Sequence, residues 1–128
     1  MAINNIATGI RNTMCDAFVD ALDAGAGAGV LQSWTAAFAT QLATNTFTDP
    51  AFGASAAGVA TAAAIADDVA ADNSGTAAVL RMRDSTPATV AEGTIAAGSG
   101  DLNMNTVAWT AGDRIHVNDF ATITMPAS

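Results

Sequence analysis

The residue with the widest chemical range in this 128-residue sequence is its one histidine, His116. An imidazole that is oriented by a carboxylate can act as a general base, and Asp113 and Asp119 lie close to it in sequence. A serine hydrolase also needs a positioned hydroxyl, but the Gly-x-Ser-x-Gly motif that presents one does not occur. We therefore expect a surface histidine without a catalytic role, and a protein that is not an enzyme.

A group of acidic residues near the middle of the chain could offer oxygen ligands to Ca²⁺. Asp67, Asp68, Asp72 and Asn73 precede Gly75. A calcium loop of the EF-hand kind needs acids at alternating positions, a central glycine and a distal glutamate, and this spacing departs from that pattern. We expect an ordinary acidic turn and no cofactor, with a loose calcium site of Asp67, Asp68 and Asp72 as the weaker alternative.

Two further features look reactive but favour structural roles. Cys15 is the only cysteine, so it cannot form an intramolecular disulfide, and the neighbouring Asp16 should raise the pKa of its thiol. The glycine-rich residues 25–29 differ from phosphate-binding loops, because those loops open a helix and these follow one. The sequence therefore predicts a packed thiol and a flexible joint.

The charge balance restricts the choice of partners. Twelve acidic residues face four arginines and no lysine, which gives a net charge of −8. Binding to nucleic acid or to an anionic membrane depends on clustered cations, so neither is expected. The sequence also shows no signal peptide and no apolar run of membrane-spanning length, which predicts synthesis in the cytoplasm. Half of the residues are apolar, and nearly half of these are alanine, which gains little on burial and thus favours self-association.

The hydrophobic pattern divides the chain into three parts. Residues 1–24 contain an amphipathic helix over 4–23, for which Asn4 or Asn5 could form the N-cap. Residues 25–29 form the joint, and residues 30–128 form a β-sandwich within a single globular unit. Apolar residues recur every four positions along the helix: Ile6, Ile10, Met14, Phe18 and Leu22.

After the joint the period changes to two, which is typical of strands. Leu80 and Met82 alternate with Arg81 and Arg83, and the last segment alternates in the same way around His116. The alanine-rich residues 54–71 could form a helix, but alternation favours a strand there. The predicted fold is mainly β with one N-terminal α-helix, an antiparallel β-sandwich or barrel-like structure of about seven strands. The candidate strands cover residues 30–35, 39–48, 58–66, 76–83, 89–95, 102–109 and 114–125.

Seven residues are candidates for an interface with another protein. Arg81 and Arg83 share one face of a strand in a chain with few cations, so they should pair with carboxylates in the fold or on a neighbouring copy. Aromatic residues are enriched in interfaces, although any single one is more often part of the core. The candidates are Ile6, Ile10, Met14, Trp34, Phe38, Arg81 and Arg83.

The order of these features resembles a family of small virion structural proteins of tailed bacteriophages. The resemblance covers nearly the whole chain and rests on shared order, since no one motif is specific. The segments that carry it are residues 10–20 with the following joint, 46–53, 75–77 leading to 80–85, 100–106 and 120–127.

The resemblance implies a non-enzymatic capsid cement or decoration protein. Such a protein would add to the outer surface of the capsid as a homo-oligomer, often a homotrimer, and bridge subunits of the major capsid protein. Its acidity suits a position outside the shell, away from packaged DNA. The alternatives are a neck or tail component and a glycan-binding host-recognition module that uses Trp34 or Trp109 for stacking. A small hydrolase around His116 is the last choice.

Overall fold

The computed structural model describes residues 5–117 and 122–124. Within them one α-helix precedes nine β-strands, which confirms the prediction of a mainly β chain with one N-terminal helix. The elements are α1 (Thr8–Leu22), β1 (Val30–Trp34), β2 (Gln41–Thr46), β3 (Val59–Thr61), β4 (Gly75–Thr76), β5 (Val79–Arg83), β6 (Thr89–Ala96), β7 (Leu102–Asn103), β8 (Ala108–Trp109) and β9 (Thr122–Thr124).

The main sheet has five strands in the order β2-β1-β5-β6-β7, and the pairs β3–β9 and β4–β8 form two small antiparallel sheets. Strand β1 lies between β2 and β5 and pairs antiparallel with both. Its residues alternate between faces, as the sequence predicted. Leu31 on β1 and Leu80 and Met82 on β5 are buried in the core, whereas Arg81 and Arg83 lie on the outer face.

One strand pair departs from the predicted antiparallel arrangement. Strands β6 and β7 run parallel, with Ile95 opposite Leu102. Residues 97–101 connect the end of β6 to the start of β7, and Gly98 in this connection has φ +100°. A Cβ at Gly100 would lie 2.7 Å from the amide nitrogen of Ala96, so only glycine allows this close approach. The main sheet is therefore mixed.

Helix α1 buries Cys15, Val19 and Leu22 in the core. Ile10 and Met14, in contrast, are 57% and 42% exposed. The four-residue repeat explains the difference, because four residues turn an α-helix by about 400°, so each step moves about 40° around its axis. Within α1 the apolar series is therefore exposed at Ile10 and Met14, packs partly against the core at Phe18 and is fully buried at Leu22.

The helix boundaries also differ from the prediction. Ala7 occupies the N-cap position without a side-chain capping bond, so the predicted cap at Asn4 or Asn5 is wrong. Gly9, a poor helix former in the first turn, disfavours extension toward the N-terminus. At the other end of the helix, the chain contacts the turn between β5 and β6. The Ser85 hydroxyl donates to the carbonyl of Ala24 at 3.0 Å, and it accepts the amide of Gly27 in the joint at 3.3 Å.

The alanine-rich region forms neither a helix nor a long strand. The predicted strand 58–66 is reduced to the three residues of β3. Residues 66–72 instead run along the outer edge of β2, where the amides of Ala66 and Asp72 donate to the carbonyls of Thr46 and Leu42. Alanine carries too little side-chain surface to specify either structure, so tertiary contacts decide.

The last two predicted strands are shorter than expected. The strand 102–109 is divided into β7 and β8, and within 114–125 the structure shows a bridge at Ile115 and strand β9. The predicted parity is confirmed where it is described, because Ile115 and Val117 are buried and His116 is exposed. The part of this prediction that concerns residues 118–121 and 125 lies outside the described residues.

Candidate functional site

His116 has a carboxylate partner, Asp67, and it is not the expected Asp113. Asp119, the other expected partner, lies outside the described residues. Nδ1 of His116 lies 2.5 Å from Oδ1 of Asp67, and the other oxygen of Asp67 accepts a hydrogen bond from Nε of Arg114 at 2.7 Å. Asp113 instead accepts the amide of Thr110 at 2.9 Å. The hydrogen bond from His116, followed by that from Arg114, holds the pKa of the Asp67 carboxyl below its usual range.

A surface hollow of about 370 Å³ adjoins this group. Its floor includes Trp109, whose ring is buried and whose indole Nε1 donates to the carbonyl of Thr106 at 2.9 Å. The residues that line it are Met104, Asn105, Thr106, Trp109, Asp113, Arg114, Ile115 and His116. The hollow is therefore lined by both polar and apolar side chains, and His116 is one of them.

Among the described residues, no hydroxyl or thiol is hydrogen-bonded to the His116 ring, so the pair that it forms with Asp67 has no nucleophile to activate. An aspartate–histidine pair can activate a hydroxyl or thiol that is hydrogen-bonded to the ring. Among residues 5–117, His116 makes a side-chain hydrogen bond only to Asp67. Cys15 lies buried on α1, and burial, with a further contribution from Asp16, raises the pKa of its thiol. The cysteine is therefore packed, as the sequence predicted.

The geometry of Asp67 is that of a structural clamp between two segments. Beside it, the backbones of Asp68 and Ile115 exchange two hydrogen bonds of 2.8 and 3.1 Å. The carboxylate of Asp68 accepts the amides of Thr44 and Ala70. These carboxylates are thus used within the fold, and they do not converge with Asp72. In the described part of the chain, no group of three acidic, histidine or cysteine side chains is placed to hold a metal ion.

We expect the Asp67 clamp to make stability depend on pH. The folded-state pKa of Asp67 is lowered, so its contribution is complete above the unfolded pKa and is lost as pH falls through the folded value. Asp67→Asn should therefore melt at a lower temperature than the wild type at pH 7, and the two curves should converge in strong acid. Asp72→Asn, at an exposed position, is the control. Equal melting temperatures for Asp67→Asn and the wild type at pH 7 would contradict the clamp.

The structure gathers four further side chains on the outer face of the main sheet. The guanidinium carbon of Arg81 lies 4.1 Å from the ring centroid of Phe38 and 5.6 Å from that of Trp34. The two rings meet edge to face at 6.1 Å, and Nη2 of Arg81 lies 2.7 Å from a carboxylate oxygen of Glu92. We call Trp34, Phe38, Arg81 and Glu92 the aromatic–arginine cluster. All four are partly or fully exposed, unlike the buried Trp109.

Arg83, two positions further along β5, is the exception to the expected pairing of arginines with carboxylates. Arg81 has Glu92, but among the described residues Arg83 forms neither an ion pair nor a side-chain hydrogen bond, and its Nε is buried without a partner. An unpaired guanidinium that is partly withdrawn from water is costly in free energy. Arg83 therefore leaves an unsatisfied donor on the outer face of β5.

Sequence reasoning found three of the four residues in the cluster and missed Glu92. It singled out Asp67 only as a weak calcium ligand and not as the partner of His116. Glu92 had a local signal, because a tight turn between β5 and β6 places it opposite Arg81. Asp67 had none as a partner of His116, since the two lie 49 positions apart. The Ile6, Ile10 and Met14 candidates lie away from both groups, near the start of α1.

No model of a protein family, no curated protein and no solved structure matches the chain. Among the described residues, no helix has the length and hydropathy that are needed to cross a bilayer.

Proposed function

We propose that the protein is a non-enzymatic structural component of a tailed-phage virion, namely a capsid cement protein that self-associates and bridges subunits of the major capsid protein on the outer shell. The support is the sequence resemblance together with one structural observation. That observation is the aromatic–arginine cluster on the outer face of the main sheet.

The cluster has the chemistry of a protein-binding surface. Tryptophan and arginine are the residues that most often dominate binding free energy in interfaces. Here Arg81 is already held by two rings and by Glu92, so it would lose little side-chain entropy when a partner binds. The nearby Arg83 offers a cation that lacks a partner among the described residues. A surface of this kind fits an acidic or polar patch on another protein.

The charge of the chain agrees with this role. A net charge of −8 disfavours contact with the DNA inside a capsid and suits the outer surface. Many modest contacts that are repeated over a symmetric shell would add through avidity, so no single interface needs to be large. The threefold self-association that the sequence resemblance implies belongs to the same proposal.

Quantitative mass spectrometry of purified particles tests the virion role. Particles of the phage that encodes the chain should contain it in hundreds of copies, and cryo-electron microscopy should place it on the outer shell. A dozen copies or fewer would favour the neck or tail alternative. Absence from purified particles would refute a virion role.

Adding the purified protein back to shells that lack it tests the binding surface. Combined Trp34→Ala and Phe38→Ala changes should weaken attachment at least about tenfold, because they remove two hot-spot side chains. Val69→Ala is the matched control, since Val69 is an apolar residue that is 69% exposed and lies outside the cluster. Unchanged attachment of the double variant, with its fold intact by circular dichroism, would exclude this face.

A further inference from the structure

The exposed side of α1 carries apolar residues at alternating spacings of three and four. These residues are Ile10, Met14, Ala17 and Ala21, which we call the α1 seam. This spacing places all four within about 60° around the helix axis. It is the spacing at which two α-helices pack side by side over several turns.

The α1 seam is open to solvent along its whole length. All four residues are exposed, and Ile10 and Met14 are the largest side chains among them. No charged residue interrupts the seam. Asp20 lies beside it, whereas the carboxylate of Asp16 turns away and accepts the amide of Ser55. The core contacts of α1 come from the opposite side, through Cys15, Val19 and Leu22. A continuous apolar strip on a chain of net charge −8 indicates a protein contact.

We propose that the α1 seam packs antiparallel against the α1 seam of a second copy of this chain, about a twofold axis. The order of large and small residues supports this occupant. In an antiparallel pair, Met14 faces Ala17 of the partner subunit, and Ile10 faces Ala21 of the partner subunit. Every layer then combines one large side chain with one small one, which fills space evenly. A parallel pair would place large residues against large and alanine against alanine.

The charges support the same orientation. Asp20 flanks the seam near the C-terminal end of α1. In a parallel pair, Asp20 would meet the same carboxylate at the same height, and like charges side by side repel. The antiparallel pair moves these carboxylates to opposite ends, and Asp20 then lies within about 3 Å, along the axis, of the level of Thr13 of the partner subunit. In a chain with twelve acidic residues, this separation reduces the electrostatic repulsion between the two copies.

The area of the contact sets its strength. A helix of 15 residues is about 22 Å long, so one helix–helix contact covers less than the roughly 800 Å² per partner of a standard stable complex. The pair should therefore dissociate at micromolar concentrations or above, and form fully where copies are crowded. Because it has a twofold axis, this contact is separate from the threefold self-association proposed above, and it would join copies that belong to different trimers. Its role on a shell rests on that proposal, but the contact can be measured without a shell.

Cysteine cross-linking tests the orientation. In the antiparallel pair the two copies of residue 10 lie about 16 Å apart along the axis, whereas residue 10 lies level with residue 21 of the partner. A disulfide needs Cα atoms within about 7 Å. A mixture of Ile10→Cys and Ala21→Cys chains should therefore form a mixed disulfide dimer under mild oxidation. Ile10→Cys alone and the wild type, which carries only the buried Cys15, should not.

Sedimentation tests the strength of the same contact. Met14→Glu should weaken self-association at least tenfold, whereas Val69→Glu, the same change at an exposed apolar site elsewhere, should leave it unchanged. Circular dichroism should match the wild type for both. Cross-linking of Ile10→Cys alone, or a Met14→Glu chain that associates like the wild type, overturns the proposal.

Two outcomes separate this inference from the proposed function. A wild type that stays monomeric at millimolar concentration overturns the α1 contact, while the copy number in particles still decides the virion role. Loss of shell attachment in Met14→Glu without any loss of self-association would show that a different protein covers the seam, which also overturns the second copy as its occupant.

Discussion

Gly29→Ala should lower the free energy of unfolding by about 2–3 kcal/mol, because the added methyl group has no room. A Cβ at Gly29 would lie 2.8 Å from the carbonyl oxygens of both Leu22 and Arg83. These atoms belong to the end of α1 and the end of β5, so neither can move without disturbing the core. The carbonyl of Gly29 also accepts the amide of Phe47 at 3.0 Å.

Urea unfolding of Gly29→Ala beside Gly27→Ala measures this effect. Gly27 lies in the same joint, but a Cβ there would meet only the Cβ of Ser85, at 4.0 Å. Its replacement should change stability by less than about 1 kcal/mol, since alanine also reduces the freedom of the unfolded chain. Equal stabilities for the two variants would show that the joint tolerates a side chain at both positions, contrary to the packing described.

Asn45→Ala should have the second largest effect, a loss of about 2 kcal/mol. Asn45 is fully buried on β2, and its Nδ2 donates to the carbonyls of Ala66 and Ile115 at 3.1 and 3.0 Å. Its removal takes one hydrogen bond from the buried carbonyl of Ile115 and one from the partly buried carbonyl of Ala66. Part of the loss is offset, because Oδ1 of Asn45 is itself buried without a partner and is removed too.

Asn73→Ala is the matched control for Asn45→Ala. The Asn73 amide also donates to a backbone carbonyl, that of Gln41 at 2.8 Å, but this bond is exposed. Water can replace it, so the change should cost less than about 1 kcal/mol. Thermal unfolding of both variants gives the comparison, and an Asn45→Ala chain as stable as Asn73→Ala would mean that β2 is not tied to residues 66 and 115 in this way.

The sequence predicts well those elements whose side chains differ strongly between faces. Leu80 and Arg81 differ enough that the two faces of β5 could be assigned, and the same holds for His116 and its buried neighbours. A repeat of four residues carried less information than it first suggested. Because each step turns by about 40°, the series through Ile10 describes a spiral and not one face.

The remaining features depend on contacts between distant residues. The clamp of Asp67 on His116 joins positions that no local pattern connects. The parallel β6–β7 pair depends on how tightly the backbone can turn at Gly100, which composition alone does not show. The alanine-rich region has side chains too uniform to favour one register, so the edge of β2 determines its path.

That path has a consequence for a protein that would be crowded against its own copies. The open side of a terminal strand can recruit a strand from another molecule, and extended aggregates grow in this way. Here the outer carbonyls of Leu42 and Thr46 and the amide of Thr44 are already bonded to residues 66–72, and β7 at the opposite margin has only two residues. At high density, copies therefore have few free backbone groups at the sheet edges for strand pairing with one another, and contacts between side chains are favoured instead.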